Sequence, residues 1–281
     1  MNVPGTEERL RQLVQWFSPF KGALVAYSGG VDSTLVAYAA KLALGERAVA
    51  VTQASALVAR RELEVAKSVA RRLGLKHIVI GDEDELPPLI SANTPLRCYY
   101  CRRGLAERLL ELAKQLGADV VVDGTEIDDL RDFRPGLRAL RERGIRSPLL
   151  ELGFNKQEVR RLAKALGLPN HAKPAESCLA TRIPHWTGLT LEALRTVEKA
   201  EELVAHITGA SLVRVRVHGD VARVEVGANE RRLFFDQRVL DKVAEALQAL
   251  GFRHVALDMQ GYRRGSVNAS RFAEKQRLSG N

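Results

Sequence analysis

The stretch ALVAYSGGVDSTL, residues 23–35, decides how the chain folds. ALVAYS (23–28) is a short run that is apolar on both faces, the composition of a strand buried inside a sheet. Gly29 and Gly30 break it, and from Ser33 to Leu44 the apolar residues recur at helical spacing. Glycines carry no Cβ, so the backbone N–H groups of such a turn can approach and encircle phosphate oxygens. The helix N-terminus behind them adds the positive end of its dipole. Ser28, Ser33 and Thr34 offer hydroxyl donors, and Asp32 is either a helix cap or a partner for phosphate-bound magnesium. No Gly-Lys-Ser/Thr follows, which separates this turn from the Walker-type loop.

Outward from that stretch the same alternation continues. AVAVTQ (48–53) predicts a second strand, with a helix through roughly Leu73, and HIVIGD (77–82) a third. After a Pro-rich break, a helix over 103–116 leads into DVVVDG (119–124), a fourth strand. This rhythm predicts an α/β fold, a parallel sheet with helices on both faces, whose ligands bind at the carboxyl ends of the strands. Ser28, Thr52 and Asp123 lie at those ends. LGFNKQEVRRLAKALGLPN (152–170) contains a helix stopped by Gly167 and Pro169. Near Thr187 the pattern changes. A long helix (190–208) precedes LVRVRVHG (212–219) and VARVEVG (221–227), an antiparallel hairpin turning at Gly219-Asp220, then a helix near 231–249 and the run FRHVALDM (252–259). Two domains are expected, 1–186 and a smaller α+β domain 187–281.

The chain has 281 residues, 46% hydrophobic and 27% charged, the balance of a globular protein. No run approaches the ~18 apolar residues of a membrane span. The opening MNVPGTEERLRQLVQWF is amphipathic and unlike a signal peptide, so a cytoplasmic protein is expected. The formal net charge of +9 calls for an anionic partner such as nucleotide, phosphate or nucleic acid. Four of those excess charges fall after Gly251, where the plain reading is a solvated basic tail.

Three cysteines in such a protein argue against a structural disulfide. Cys98 and Cys101 form a C-x-x-C pair in RCYYCRR (97–103), among cations expected to lower thiol pKa. Cys178 stands apart in PAESCLATR (174–182). DGTEIDD (123–129) ends the fourth strand in carboxylates, of which Asp128 and Asp129 could hold magnesium, orient substrate or simply cap a helix. In LVRVRV, Val213, Val215 and Val217 share one strand face and Arg214 and Arg216 the other; Arg223 and Glu225 alternate likewise with Val224 and Val226. That charged face fits either a solvated sheet surface or an anionic mononucleotide.

SGGVDS resembles the PP-loop of ATP pyrophosphatases, which hold the β and γ phosphates and cleave ATP between α and β. With DGTEIDD, KPAESCLATRIP (173–184), LVRVRVHG and GYRRGSVN (261–268), nearly the whole chain resembles the LarE family of ATP-dependent sulfur transferases of nickel-pincer cofactor biosynthesis. The resemblance implies the adenine nucleotide α-hydrolase-like fold and adenylation of a carboxylate of pyridinium-3,5-biscarboxylic acid mononucleotide, followed by insertion of sulfur to give a thiocarboxylate. It implies that Ser28, Gly29, Gly30, Asp32, Ser33 and Thr34 hold pyrophosphate. Thr52 and Ser55 are then expected at the adenosine, and Asp128 and Asp129 near nucleotide and Mg2+. Arg182 is expected to bind phosphate, and Arg214 and Arg216 to grip substrate phosphate. Glu202 and Glu225 are weaker candidates for a divalent cation. It also implies a homo-oligomer, and nothing in it calls for a membrane.

Members of the family differ in where the sulfur comes from. A single cysteine at the Cys178 position can surrender its own sulfur, or three cysteines can hold a [4Fe-4S] cluster whose fourth iron binds delivered sulfide. Cys98, Cys101 and Cys178 favour the cluster; the sacrificial thiol stays open, as does zinc with His171 or His185 as fourth ligand. A PP-loop tRNA thiolase is the main rival function, though Val31 stands where many cluster-type thiolases have lysine and no zinc-ribbon cysteine pairs are present. An ammonia-using ligase or a non-enzymatic nucleotide module would leave the cysteines unexplained.

Overall fold

Strand β1 (Ala23–Ala26) lies at the heart of a four-stranded sheet of order β3-β2-β1-β4, with β2 at Ala48–Ser55, β3 at Lys76–Asp82 and β4 at Val120–Val122. All pairings are parallel. The computed structural model describes residues 5–82, 84–131, 135–174 and 176–263. The sheet is covered on both sides, and β1 shows why. Ala23 and Val25 point into one core with Leu13 and Phe17 of α1 (Thr6–Phe17), Leu35 and Ala39 of α2 (Val31–Leu44) and Val159 and Leu162 further along the chain. Leu24 points into the other, with Val49, Val51, Val121 and Leu105, Leu109 and Leu140. A strand apolar at every position can only be satisfied between two layers.

Helix α3 (Arg60–Arg72) links β2 to β3; α4 (Pro88–Ser91) and α5 (Arg97–Leu116) lead back to β4 on the far side of β1. The chain therefore runs outward through β2 and β3, then returns across β1, creating a switch point between β1 and β4. Helices α6 (Pro135–Glu142), α7 (Pro148–Glu151) and α8 (Lys156–Ala165) follow. Asn155 caps α8 in a reciprocal capping box with Glu158, a signature present in NKQE.

The chain divides into two compact units, 1–90 with 94–176, and 177–281 with 91–93. The Cys178 segment thus travels with the second unit. There α9 (Leu191–Thr208) and α10 (Gln237–Gln248) pack with a three-stranded sheet of β5 (Val213–His218), β6 (Val221–Val226) and β7 (His254–Leu257). β5 and β6 form the expected antiparallel hairpin, with Gly219 at φ +62 in its turn. β7 pairs parallel to β6, which the sequence did not announce.

Two local readings are corrected. The helix expected from 103 begins at Arg97, so the C-x-x-C pair lies in its first two turns. The helix near 231–249 is a 3-10 turn, Arg231–Phe234, followed by α10, because Asp236 accepts a hydrogen bond from Arg238 N and restarts the helix. Residues 264–268 of GYRRGSVN, like the rest of the basic tail beyond Arg263, lie outside the described residues.

Trp186 has φ +70 while 69% exposed, a backbone that suits glycine. Its N–H donates to Asn93 O, and Asn93 Nδ2 donates to Pro184 O and Thr187 O, which hold the turn. Trp186→Gly is expected to stabilise the second unit by about 1 kcal/mol, the left-handed strain relieved less the extra chain entropy of glycine. Urea unfolding followed by circular dichroism measures it; a lower midpoint would show that the indole contributes packing of its own.

Candidate functional site

At the mouth of β1 the backbone turns through Ser28, Gly29 and Gly30 into α2. Gly29 has φ +69, and a Cβ built there would lie 2.7 Å from Ala66 Cα, so no side chain fits between the loop and α3. Ser28 Oγ lies 3.1 Å from Ser33 Oγ, and Gly30 N donates to Ser28 Oγ. The first turn of α2 leaves its N–H groups without intrahelical acceptors, which is the anion-binding feature of a helix start. Gly124 closes the switch point from the β4 side: a Cβ there would lie 2.7 Å from Ser33 N. The glycine admits the DGTEIDD segment against the loop.

Among the carboxylates the roles separate. Asp123 is committed to the local fold, accepting from Thr125 N, Thr125 Oγ1 and Ser147 Oγ. Asp128 Oδ2 accepts from Lys156 N and Asp129 Oδ2 from Glu126 N, so both order the backbone where α8 and the 3-10 turn Ile127–Arg131 begin. Asp32 is different. Its Oδ2 pairs with Lys156 Nζ, while its Oδ1 is buried with no hydrogen-bond donor among the described residues. Glu126 is fully buried; its Oε2 accepts from Asp128 N and its Oε1 has no donor among the described residues. Burial holds the Glu126 carboxyl above the usual carboxylate range. Two buried carboxylate oxygens lacking donors suit a site completed by a cation, and the loop's N–H groups suit phosphate.

Lys156 and Asn170 are not singled out from the sequence as parts of this site, and of the DGTEIDD carboxylates Asp128 and Asp129 are named rather than Glu126. Asn170, 5% exposed, donates to Gly29 O and Thr34 Oγ1, stapling the chain beyond α8 to the loop. Thr34 is fully buried and serves that staple. Thr52 is buried as well: its hydroxyl donates to Tyr27 O and meets His77 Nε2 at 2.7 Å. Ser55 Oγ accepts from Leu57 N at the end of β2. A cleft of about 240 Å³ is lined by Phe20, Leu110, Lys114, Val120 and Arg146, with no loop residue. We place the chemistry at the loop because the polar groups converge there.

Burial lowers the His77 pKa below its ordinary 6.5. A depressed histidine favours the neutral folded state, so its contribution is fully present above pH 6.5 and is lost as pH falls from there through the lowered folded value. Stability of the chain is therefore expected to slope downward below pH 6.5, and His77→Gln to flatten the slope. Thermal melts across pH 5–8 check it; an unchanged slope would remove His77 from the account.

Cys98, exposed, and Cys101, partly buried, sit one turn apart on α5. For Cys101 the expectation of a lowered pKa is corrected: burial pushes its thiol up, outweighing Arg102 and the other nearby cations. Cys178 belongs to the second unit. Among the described residues no group of three or more His, Cys, Asp or Glu is assembled to hold a metal ion. His171 and His185 each direct Nδ1 at a backbone carbonyl, Leu168 O and Asn93 O.

In the second unit the arginines expected on a charged face are interior. Arg182 is 2% exposed, Arg214 0% and Arg216 5%. Arg182 forms a two-pronged pair with Glu201, Nε to Oε1 at 2.7 Å and Nη2 to Oε2 at 3.0 Å. Arg216 donates twice to Glu225 Oε2 and once to Thr181 O, and Arg223 donates to Glu225 Oε1. The Arg214 guanidinium lies 5.5 Å from the Tyr262 ring centre. Glu225 is thus fully occupied by arginine, whereas Glu202 is exposed on α9. Removing one partner of such a buried pair costs about 3–5 kcal/mol, since it strands the other charge.

A parallel sheet with the loop SGGVDS leading into a helix at its switch point is the arrangement expected of a PP-loop enzyme. The family model for NAD synthase matches residues 3–87, the segment that carries the loop. The chain is 38% identical over 257 residues to the pyridinium-3,5-bisthiocarboxylic acid mononucleotide synthase of Lactiplantibacillus plantarum, covering 91% of this chain and 92% of that one. It is 42% identical over 262 residues to the uncharacterized protein slr1717 of Synechocystis sp., covering 93% and 97%. The tRNA-specific 2-thiouridylase MnmA of Rickettsia typhi is 28% identical over 226 residues, covering 67% and 63%. The chain belongs to the LarE family, that of the bisthiocarboxylic acid mononucleotide synthase. No helix among the described residues is long and apolar enough to cross a membrane.

Proposed function

We propose that the protein is an ATP-dependent sulfurtransferase that adenylates a carboxylate of pyridinium-3,5-biscarboxylic acid mononucleotide and replaces the adenylate with sulfur. The similarity to the Lactiplantibacillus synthase along nine-tenths of the chain carries this reading. A carboxylate oxygen of the substrate attacks the α-phosphorus of ATP, forming the acyl-adenylate and releasing pyrophosphate. Sulfide then adds to the acyl carbon and AMP departs, leaving the thiocarboxylate. Ser28 to Ser33 cradle the departing pyrophosphate, with Lys156 as the added cation. Asp32 and Glu126 supply the carboxylate oxygens for Mg2+. Thr52 and Ser55 shape the adenosine end of the site, and Asp128 and Asp129 hold its floor. Arg182, Arg214 and Arg216, with Glu202 and Glu225, build the substrate side in the second unit.

We further propose that Cys98, Cys101 and Cys178 ligate a [4Fe-4S] cluster, for which three thiols are a chemically suitable donor set. Such a cluster supplies an iron without a protein ligand, where exogenous sulfide can be carried. Support comes from the C-x-x-C pair on one helix face and a third cysteine in the turn that ends at Arg182. Anaerobic reconstitution is expected to give about four irons per chain. Cys98→Ala is expected to lose that iron, and iron retained in Cys98→Ala would end the cluster proposal.

The function itself is tested by supplying ATP, Mg2+, sulfide and the mononucleotide. Pyrophosphate, AMP and a product with one oxygen replaced by sulfur are expected. Thiolated tRNA as the product, with the mononucleotide untouched, would move the protein to the thiouridylase class.

A further inference from the structure

A charged residue on the core face of an amphipathic helix needs a buried partner. On α9 the buried positions Leu194, Val197, Ala200, Glu201 and Val204 follow helical spacing, so Glu201 stands among core residues while its neighbour Glu202 faces outward. Glu201 is 1% exposed. Its Oε1 accepts from Val215 N of β5 at 3.0 Å, and both its oxygens take the Arg182 guanidinium. The remaining nitrogen of Arg182, Nη1, donates into the cysteine segment: Ser177 O at 2.8 Å, Ser177 Oγ at 2.7 Å, Cys178 O at 3.0 Å and Thr181 Oγ1 at 3.0 Å. Cys178 O also accepts from Thr181 N and Thr181 Oγ1. The backbone of the residue bearing the thiol is thus held by a guanidinium whose direction Glu201 sets.

We propose that Glu201 is a positioning residue for Cys178, acting through Arg182. This rests on the reading that Cys178 marks the place of sulfur transfer. Glu201 reaches the thiol's segment through Arg182 and anchors the pair to β5 through Val215 N. A planar, two-pronged pair fixes the orientation of the guanidinium in a way a lone charge does not. With one carboxylate oxygen replaced by an amide, the fork loses half its acceptors and the hydrogen bonds to Ser177 O and Cys178 O lose their alignment. Arg216, held by Glu225 and donating to Thr181 O, clamps the other end of the same turn.

The test uses the full metal-free chain under reducing conditions, alkylated with N-ethylmaleimide and mapped peptide by peptide, so that Cys98 and Cys101 serve as internal controls. Glu201→Gln is expected to raise the Cys178 rate about tenfold, as a loosened segment opens more often, with the other two rates unchanged. Sulfur insertion, measured on the anaerobically reconstituted protein, is expected to fall about 100-fold, with the KM for ATP unaltered. Should Glu201→Gln fail to fold, the double variant Arg182→Met with Glu201→Leu removes the pair without stranding a charge and carries the same expectation for the three alkylation rates. A folded variant with the wild-type Cys178 rate overturns the proposal, as does a rate rise shared by all three cysteines. A Cys178-specific rise with unchanged sulfur insertion upholds the positioning role and instead refutes Cys178 as the transfer site.

Discussion

Cys178→Ser is expected to lower sulfur insertion on the order of 10³-fold or more while leaving ATP-dependent pyrophosphate release within a few-fold of the parent. The contrast follows from where the groups lie. The phosphate loop, Lys156, Asp32 and Glu126 all belong to the first compact unit, and Cys178 to the second. Serine keeps the shape of the side chain, and the Cys178 carbonyl, which accepts from Thr181 Oγ1 and Arg182 Nη1 to order this turn, is untouched by the change. The substitution therefore removes the sulfur atom and little else. Pyrophosphate release and thiocarboxylate formation measured on the same samples check it. Sulfur insertion at the parent rate would show that Cys178 is dispensable, and loss of both activities together would place it in the adenylation step.

Lys156→Met is expected to reduce pyrophosphate release by about 10²–10³-fold, the loss typical when a group stabilising developing negative charge is removed. Cleavage between the α and β phosphorus places new charge on the departing pyrophosphate. Lys156 opens α8, its backbone fixed by Asp128 and its ammonium paired with Asp32 in the loop. Methionine keeps the stem but takes away the cation, and it leaves the Asp32 carboxylate facing the phosphates without its counter-charge. Both changes raise the barrier. Because helix α8 is capped by Asn155, the fold is expected to persist, which a melting curve verifies. A fall of less than about tenfold would confine Lys156 to holding the loop.

The parallel sheet was legible because β1, β2 and β4 are buried on both sides, and such strands read as unbroken apolar runs. The glycine loop was legible for a local reason: a turn with φ +69 at Gly29 needs a glycine, and one pressed against Ala66 needs it twice over. The start of α5 was hidden because Arg97 to Arg103 is polar and aromatic, with no apolar period to count. Alternation in LVRVRV separated the arginine face from the valine face of β5. It could not tell that this second face is covered too, with Arg214 at 0% exposure and Arg216 held by Glu225. Long-range partners were the least legible. Lys156 and Asp32 are 124 residues apart and Asn170 and Gly29 are 141, so no spacing rule links them. Glu201 did leave a trace, a carboxylate at a core position of an amphipathic helix, one residue away from Glu202, the weaker candidate for a divalent cation.

The central claim is that sulfur from outside the chain enters a carboxylate activated by ATP, with Cys178 conserved through turnover. Multiple turnovers with isotopically heavy sulfide, followed by mass spectrometry of both product and intact protein, test it most directly. The account predicts heavy sulfur in the thiocarboxylate, formed only with ATP, and an unchanged protein mass. Light sulfur in the product, with the protein lighter by one H₂S at Cys178, would contradict it.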